Sequence, residues 1–101
     1  MGIVRQGRQQ EINIKKLVKT ASKLKAMSHP TRLRIISLLD VDAELCVKDI
    51  GAKLKADQAT VSLHLKVLKT HSVLKCRKEG KRIYYSLNSE NIQNTLAFID
   101  K

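Results

Sequence analysis

The chain has no tryptophan, one phenylalanine and two tyrosines among 101 residues. A protein that lies on a membrane surface uses large aromatic anchors beside its basic face, so that role falls well behind others here. Proline occurs once and glycine four times, leaving long stretches free to form regular elements. The two cysteines, Cys46 and Cys76, stand far apart with no Cys-x-x-Cys pair, which argues against a disulfide framework or a zinc finger. No stretch approaches the roughly eighteen consecutive apolar residues of a membrane span, and residues 1–10, MGIVRQGRQQ, lack the apolar segment of a signal peptide. The expectation is a cytoplasmic protein with reduced thiols and no membrane partner. Acids are scarce as well. Nine Asp and Glu face 20 Lys and Arg, for a net charge of +11. Such a chain repels itself unless its usual partner is a polyanion, and nucleic acid is the first candidate.

What is present is helical periodicity. Residues 1–10 are basic and without a period, and read as a loose arm ahead of one domain over residues 11–101. From Glu11 to Met27, Ile14, Leu17, Val18, Ala21 and Leu24 recur at helical spacing among lysines, which predicts an amphipathic helix. Ser28-His29-Pro30 breaks it. The residue before a proline avoids the helical region, and proline suits the first position of the next helix, with His29 as an expected cap. That second helix is expected to run to about Leu39, burying Leu33 and Ile36 with part of Ile35, Leu38 and Leu39, before a polar turn over residues 40–44. A third helix is expected from Cys46 to Leu54, with Val47, Ile50 and Leu54 inward. Gly51 lies inside it, at a cost of about 1 kcal/mol against alanine that close helix packing would explain.

Lys55-Ala56 joins this helix almost directly to the next, DQATVSLHLKVLKT, which gives a helix, a very short turn and a helix. Asp57 is a good N-cap. Val61, Leu65 and Leu68 fall on one stripe, while Ala59, Ser62, Leu63, Lys66 and Thr70 fall on the opposite side. After Thr70 the period shifts from 3.6 to 2. Residues 73–77 and 82–87 are predicted strands joined through Lys78-Glu79-Gly80-Lys81, with Gly80 free to take positive φ. Asn88-Ser89 then opens a last helix with Ile92, Leu96 and Ile99 on one side. The order ααααββα is a mainly α fold with a β-hairpin, a winged helix-turn-helix with an extra helix at each end.

The charge points the same way. From Lys66 to Arg82 there are seven cations against the single acid Glu79, so the patch covers the second helix of the pair and the hairpin together. A helix fits the major groove of double-stranded DNA, and a basic hairpin tip follows the backbone into the minor groove. Gln58, in the first turn, suits an adenine edge or a phosphate. Ser62 donates to either, and Leu63 meets thymine methyls or is an ordinary exposed leucine. Arg77, Lys78, Lys81 and Arg82 belong to the wing. His64 borders the core stripe with no acid near it in sequence, so it reads as a packing histidine. Nothing forms a catalytic triad or a phosphate loop, and no enzyme, cofactor or metal is expected. A nonspecific or architectural nucleic-acid binder is the alternative to a sequence-specific one.

The runs AMSHPTRLRIISLL, ELCVKDI, QATVSLHLKVLK and LKCRKEGKRIYYSL closely resemble the ArsR/SmtB-type winged-helix repressors, from about Ala26 to Leu87. The resemblance implies a homodimer built from the first and last helices, through Leu17, Val18, Ala21, Leu24, Ile92, Leu96 and Ile99. It implies binding to an imperfect palindrome in a promoter, with release by an inducer. It further implies that Gln58, Ala59, Ser62 and Leu63 face bases and that Lys78, Lys81 and Arg82 form the wing tip. The departures bear on sensing. Arsenic-sensing members carry ELCVCDL where this chain has ELCVKDI, so Lys48 replaces a thiol. Zinc-type members place a histidine on the last helix, which SENIQNTLAFIDK lacks. Ser72 stands at a usual glycine position, so a strained or differently shaped turn is expected there. Cys46 remains either a thiol sensor, with Lys48 close by, or a small buried apolar residue.

Overall fold

The computed structural model describes the backbone of residues 13–99 and side chains as far as Thr95; the arm at residues 1–10, residues 11 and 12, and residues 100 and 101 lie outside it. The elements in chain order are α1 (Ile14–Met27), α2 (Pro30–Asp42), β1 (Leu45–Cys46), α3 (Val47–Leu54), α4 (Gln58–Thr70), β2 (Leu74–Glu79), β3 (Arg82–Leu87) and α5 (Ser89–Ile99). This is the expected order of five helices and a hairpin, with one short strand added between α2 and α3.

Local chemistry sets most of the boundaries. Asn13 caps α1 by accepting the Lys16 N–H at 3.0 Å. His29 caps α2, its Nδ1 accepting from the Thr31 N–H at 3.1 Å, with Pro30 in the first turn. Asp57 caps α4, and Thr60 donates to it twice, from its backbone N–H at 2.8 Å and its hydroxyl at 2.9 Å. A cap of this kind is worth about 1 kcal/mol. These hydrogen bonds to the ionised form hold the Asp57 carboxyl below the usual carboxylate range.

The core is one cluster of Ile35 and Leu39 from α2, Ile50 and Leu54 from α3, Val61, Leu65 and Leu68 from α4, and Val73 and Leu74 at the start of the wing. The α4 stripe is thus buried as its spacing predicts. Two expectations for α2 need correction. It continues through Asp42 rather than ending at Leu39, so the polar segment after Leu39 is mostly helix. Its buried positions are Ile35 and Leu39, one helical turn apart, whereas Leu33 is 50% exposed and Ile36 and Leu38 are only partly covered. Apolar residues occur nearly all round α2, so spacing alone does not choose which side faces the core.

Cys46 is also corrected. It does not open α3 as a helical residue but ends β1 and sits at the N-cap. β1 pairs antiparallel with β3, Leu45 opposite Tyr85 and Cys46 opposite Tyr84, giving a sheet of order β1-β3-β2. The second hairpin strand has its predicted bounds, but the first runs from Leu74 to Glu79 rather than over 73–77, with Glu79 opposite Arg82, so Gly80 and Lys81 alone make the turn. Gly80 takes φ 62° at the first central position, where a two-residue hairpin turn favours glycine. Because directly opposed residues share a face, Leu45, Leu74, Cys76, Tyr85 and Leu87 lie on one side of the sheet, and Cys46, Arg77 and Tyr84 on the other. The first side packs on the core. The two thiols therefore project from opposite faces.

Candidate nucleic-acid interface

The turn between α3 and α4 decides how α4 is presented. Lys55 is left-handed at φ 55°, ψ 45°, and the Ala56 N–H bonds back to the Gly51 carbonyl at 3.0 Å. A Cβ on Gly51 would lie 3.0 Å from the Ala56 carbonyl oxygen, closer than ordinary contact, so the absent side chain lets the chain fold back this tightly. The close packing expected at Gly51 is this backbone approach. It brings Asp57 into capping position immediately after α3 ends.

Held in this way, α4 turns Val61, Leu65 and Leu68 inward and leaves Gln58, Ala59, Ser62, Leu63 and Lys66 exposed. Leu63 is 67% exposed, a large apolar side chain on a face shared with Gln58, Ala59, Ser62 and Lys66. Beside it stands the wing. Lys78, Lys81 and Arg82 are exposed at its tip and make no ion pair among the described residues.

Arg77 differs from them. Its guanidinium grips Glu44 with two hydrogen bonds, Nε to Oε2 at 2.7 Å and Nη2 to Oε1 at 2.8 Å, and its Nη1 reaches Glu79 at 2.9 Å. It also lies 4.9 Å from the centre of the Tyr84 ring. These bonds to carboxylates raise the Arg77 pKa further, and the bond from Arg77 pulls that of Glu44 down. Arg77 therefore ties β2 to the segment before β1, with its charge matched by two carboxylates. Sequence proximity grouped it with the wing cations because Glu44 lies 33 positions away.

His64 is a packing residue, as its place beside the core stripe suggests. Its Nδ1 accepts from Arg32 Nε at 3.2 Å, and its ring lies 4.6 Å from that of His29. Cys46 is buried, and its thiol donates to the Asp49 carboxylate at 3.1 Å, the arrangement of a packed and satisfied side chain. Among the described residues no group of three or more His, Cys, Asp or Glu could hold a metal ion, and no helix is long and apolar enough to cross a membrane.

The residues suggested for a dimer divide by environment. On α1, Leu17, Val18, Ala21 and Leu24 are exposed, Val18 by 59%, and the same side adds Ile14 at 65%. Thr20 and Ala26 are the buried residues of this helix. On α5, Ile92 is partly buried and packs against the core. The side chains of Leu96 and Ile99 lie outside the described residues.

Residues 29–71, from the cap of α2 to the end of α4, match the family described as bacterial regulatory protein, arsR family. A cadmium resistance transcriptional regulatory protein CadC homolog from Staphylococcus aureus is 42% identical over 73 residues, which are 72% of this chain and 60% of that protein. The chain thus matches less than two thirds of that relative's length. The crystal structure of the transcriptional repressor PagR of Bacillus anthracis superposes with a TM-score of 0.73 at 36% identity, covering 86% of this chain and 99% of PagR. The homodimeric winged helix-turn-helix DNA-binding domain Mb0332 from Mycobacterium bovis, a possible ArsR-family transcriptional regulator, superposes with a TM-score of 0.75 at 27% identity, covering 94% and 87%. With the helix-turn-helix, the hairpin wing and these matches together, the chain belongs to the arsR family of bacterial transcriptional regulators.

Proposed function

We propose that this protein is a homodimeric, sequence-specific DNA-binding repressor that docks α4 in the major groove of an imperfect palindrome. The observation that carries the reading is the division of α4. Its apolar stripe is fully used inside the domain, while Gln58, Ala59, Ser62, Leu63 and Lys66 face outward beside a tip of exposed cations. In this reading Gln58 and Ser62 hydrogen-bond base edges or phosphates, and Ala59 and Leu63 touch thymine methyls. Two of these residues are apolar, so shape and methyl contacts take a larger share of recognition than in an all-polar helix. Lys66, Lys78, Lys81 and Arg82 bind phosphates. Arg77, with both its carboxylate partners, stiffens the wing instead.

The exposed apolar side of α1 supports the homodimer reading. Leu17, Val18, Ala21 and Leu24, with Ile14, form an apolar seam that a second copy would cover, and Ile92, Leu96 and Ile99 of α5 would border it. A homodimeric neighbour of the same fold and a neighbour named as a repressor support this assembly and this sign of regulation. The burial of Cys46 and its bond to Asp49 favour packing over thiol sensing.

Selection of bound duplexes from a random pool tests the reading. A two-fold symmetric sequence with half-sites about one helical turn apart is expected, as a symmetric dimer requires. A pool that emerges without enrichment would mean a charge-driven, nonspecific binder.

A further inference from the structure

Arg32 joins three helices at one point. Its Nε donates to His64 Nδ1 on α4 at 3.2 Å, and its Nη1 donates to the Ala26 carbonyl near the end of α1 at 3.2 Å, while the residue itself belongs to α2. The first bond needs an unprotonated Nδ1, since a protonated imidazole has no acceptor to offer. Among the described residues, the groups acting electrostatically on His64 are Arg32 of α2 and His29 at the α2 cap, with no carboxylate among them. A proton on His64 would remove the acceptor from Arg32 and set a cation against the guanidinium.

We propose that Arg32 is a positioning residue that sets the angle of α4 against α1 through His64, and that this clasp holds only while His64 is neutral. The inference rests on α4 being the reading helix and α1 the dimer helix. Two reading helices must then meet half-sites at a fixed separation, so a change of angle between α1 and α4 lowers specific affinity more than general affinity. Burial first, then His29 and Arg32, hold the His64 imidazole below its ordinary value of 6.5. The unfolded chain therefore takes up the proton before the folded one, and stability falls as pH drops through and below that value. Asp57 and Glu44, held below their ordinary values of 3.8 and 4.5, lose their contributions only at lower pH, which separates the two windows.

The sign of the effect on DNA is diagnostic. Acidification adds positive charge and by itself tightens binding to any duplex, whereas an opened clasp weakens binding to the selected one. The experiment measures affinity for the duplex recovered by selection and for a scrambled duplex, at constant salt, from about pH 7.5 to about pH 5. For the native protein the selected duplex is expected to lose about 10-fold in affinity relative to the scrambled one, the size of losing one hydrogen bond to a charged donor. His64→Asn keeps an acceptor near the Nδ1 position without titrating, and its preference should stay flat with pH. His29→Asn, which keeps an acceptor for the Thr31 N–H, should retain the step. A native preference that does not fall on acidification, or a His64→Asn protein that loses it equally, would overturn the clasp. Equal binding of both duplexes at about pH 7.5 would instead overturn the reading of α4, and the clasp with it.

Discussion

α1 and α4 are both amphipathic helices of similar length, yet their apolar sides meet opposite fates. In α4 the stripe Val61, Leu65, Leu68 is completely buried within the chain, and the polar side is left free. In α1 the reverse holds: Ile14, Leu17, Val18 and Leu24 are exposed, while Thr20 and Ala26 are the residues turned inward. The same periodicity therefore announces two different things. An apolar stripe states that burial is wanted, but whether the covering surface is the same chain or another is decided by the remaining elements. The fully buried core draws on α2, α3, α4 and the start of the wing, so the apolar side of α1 stays exposed and the outer side of α4 stays free.

The sharpest way to break this contrast is to cut each helix on its apolar side. Leu65→Ala removes a fully buried side chain from α4 and should cost about 2–5 kcal/mol of stability, measured by denaturant unfolding. A doubly substituted Leu17→Asp, Val18→Asp chain should keep its helical circular dichroism but sediment with half the native mass. If the native protein is already monomeric at micromolar concentration, the assignment of α1 to a dimer fails.

The contrast between wing cations is smaller in effect and can be read from salt dependence. Replacing Lys78 and Lys81 together by alanine should lower the slope of log K against log salt by about 2, roughly one unit for each phosphate that is no longer neutralised. Arg77→Ala should leave that slope nearly unchanged, because its charge is already matched by Glu44 and Glu79. The smallest effect is expected at Ser72, which adopts φ 61° in the turn after α4. Ser72→Gly should stabilise the protein by about 0.5–1 kcal/mol by relieving left-handed strain, less the entropy lost on ordering glycine, as measured by thermal unfolding.

How much of this was legible in the sequence follows from the range of each interaction. Caps and turns act over two to four residues, so Asp57, His29 and Gly80 are readable from the residues alone, whereas the unusual turn at Ser72 shows only against the glycine of the resembling family. The inner stripe of α4 was readable for the same reason, since a polar opposite face leaves one orientation. α2 offered no such contrast, and its phase had to await packing against α3 and α4. β1 is two residues long and exists only by pairing with β3, nearly forty positions later. The Arg77 grip on Glu44 and the Arg32 bond to His64 likewise cross more than thirty positions. Residues that act locally in chain order declared themselves. Those whose partner lies far along the chain, such as Arg77 with Glu44, carry no local signal of it.

The central claim is that the exposed side of α4 reads bases rather than merely presenting charge. Its most direct test is a titration of the native protein against the selected duplex and a scrambled duplex of equal length at about 0.15 M salt, where charge-only binding is well screened. A preference of roughly 10³-fold or more for the selected sequence is the expected result. Equal affinity for the two would contradict the claim.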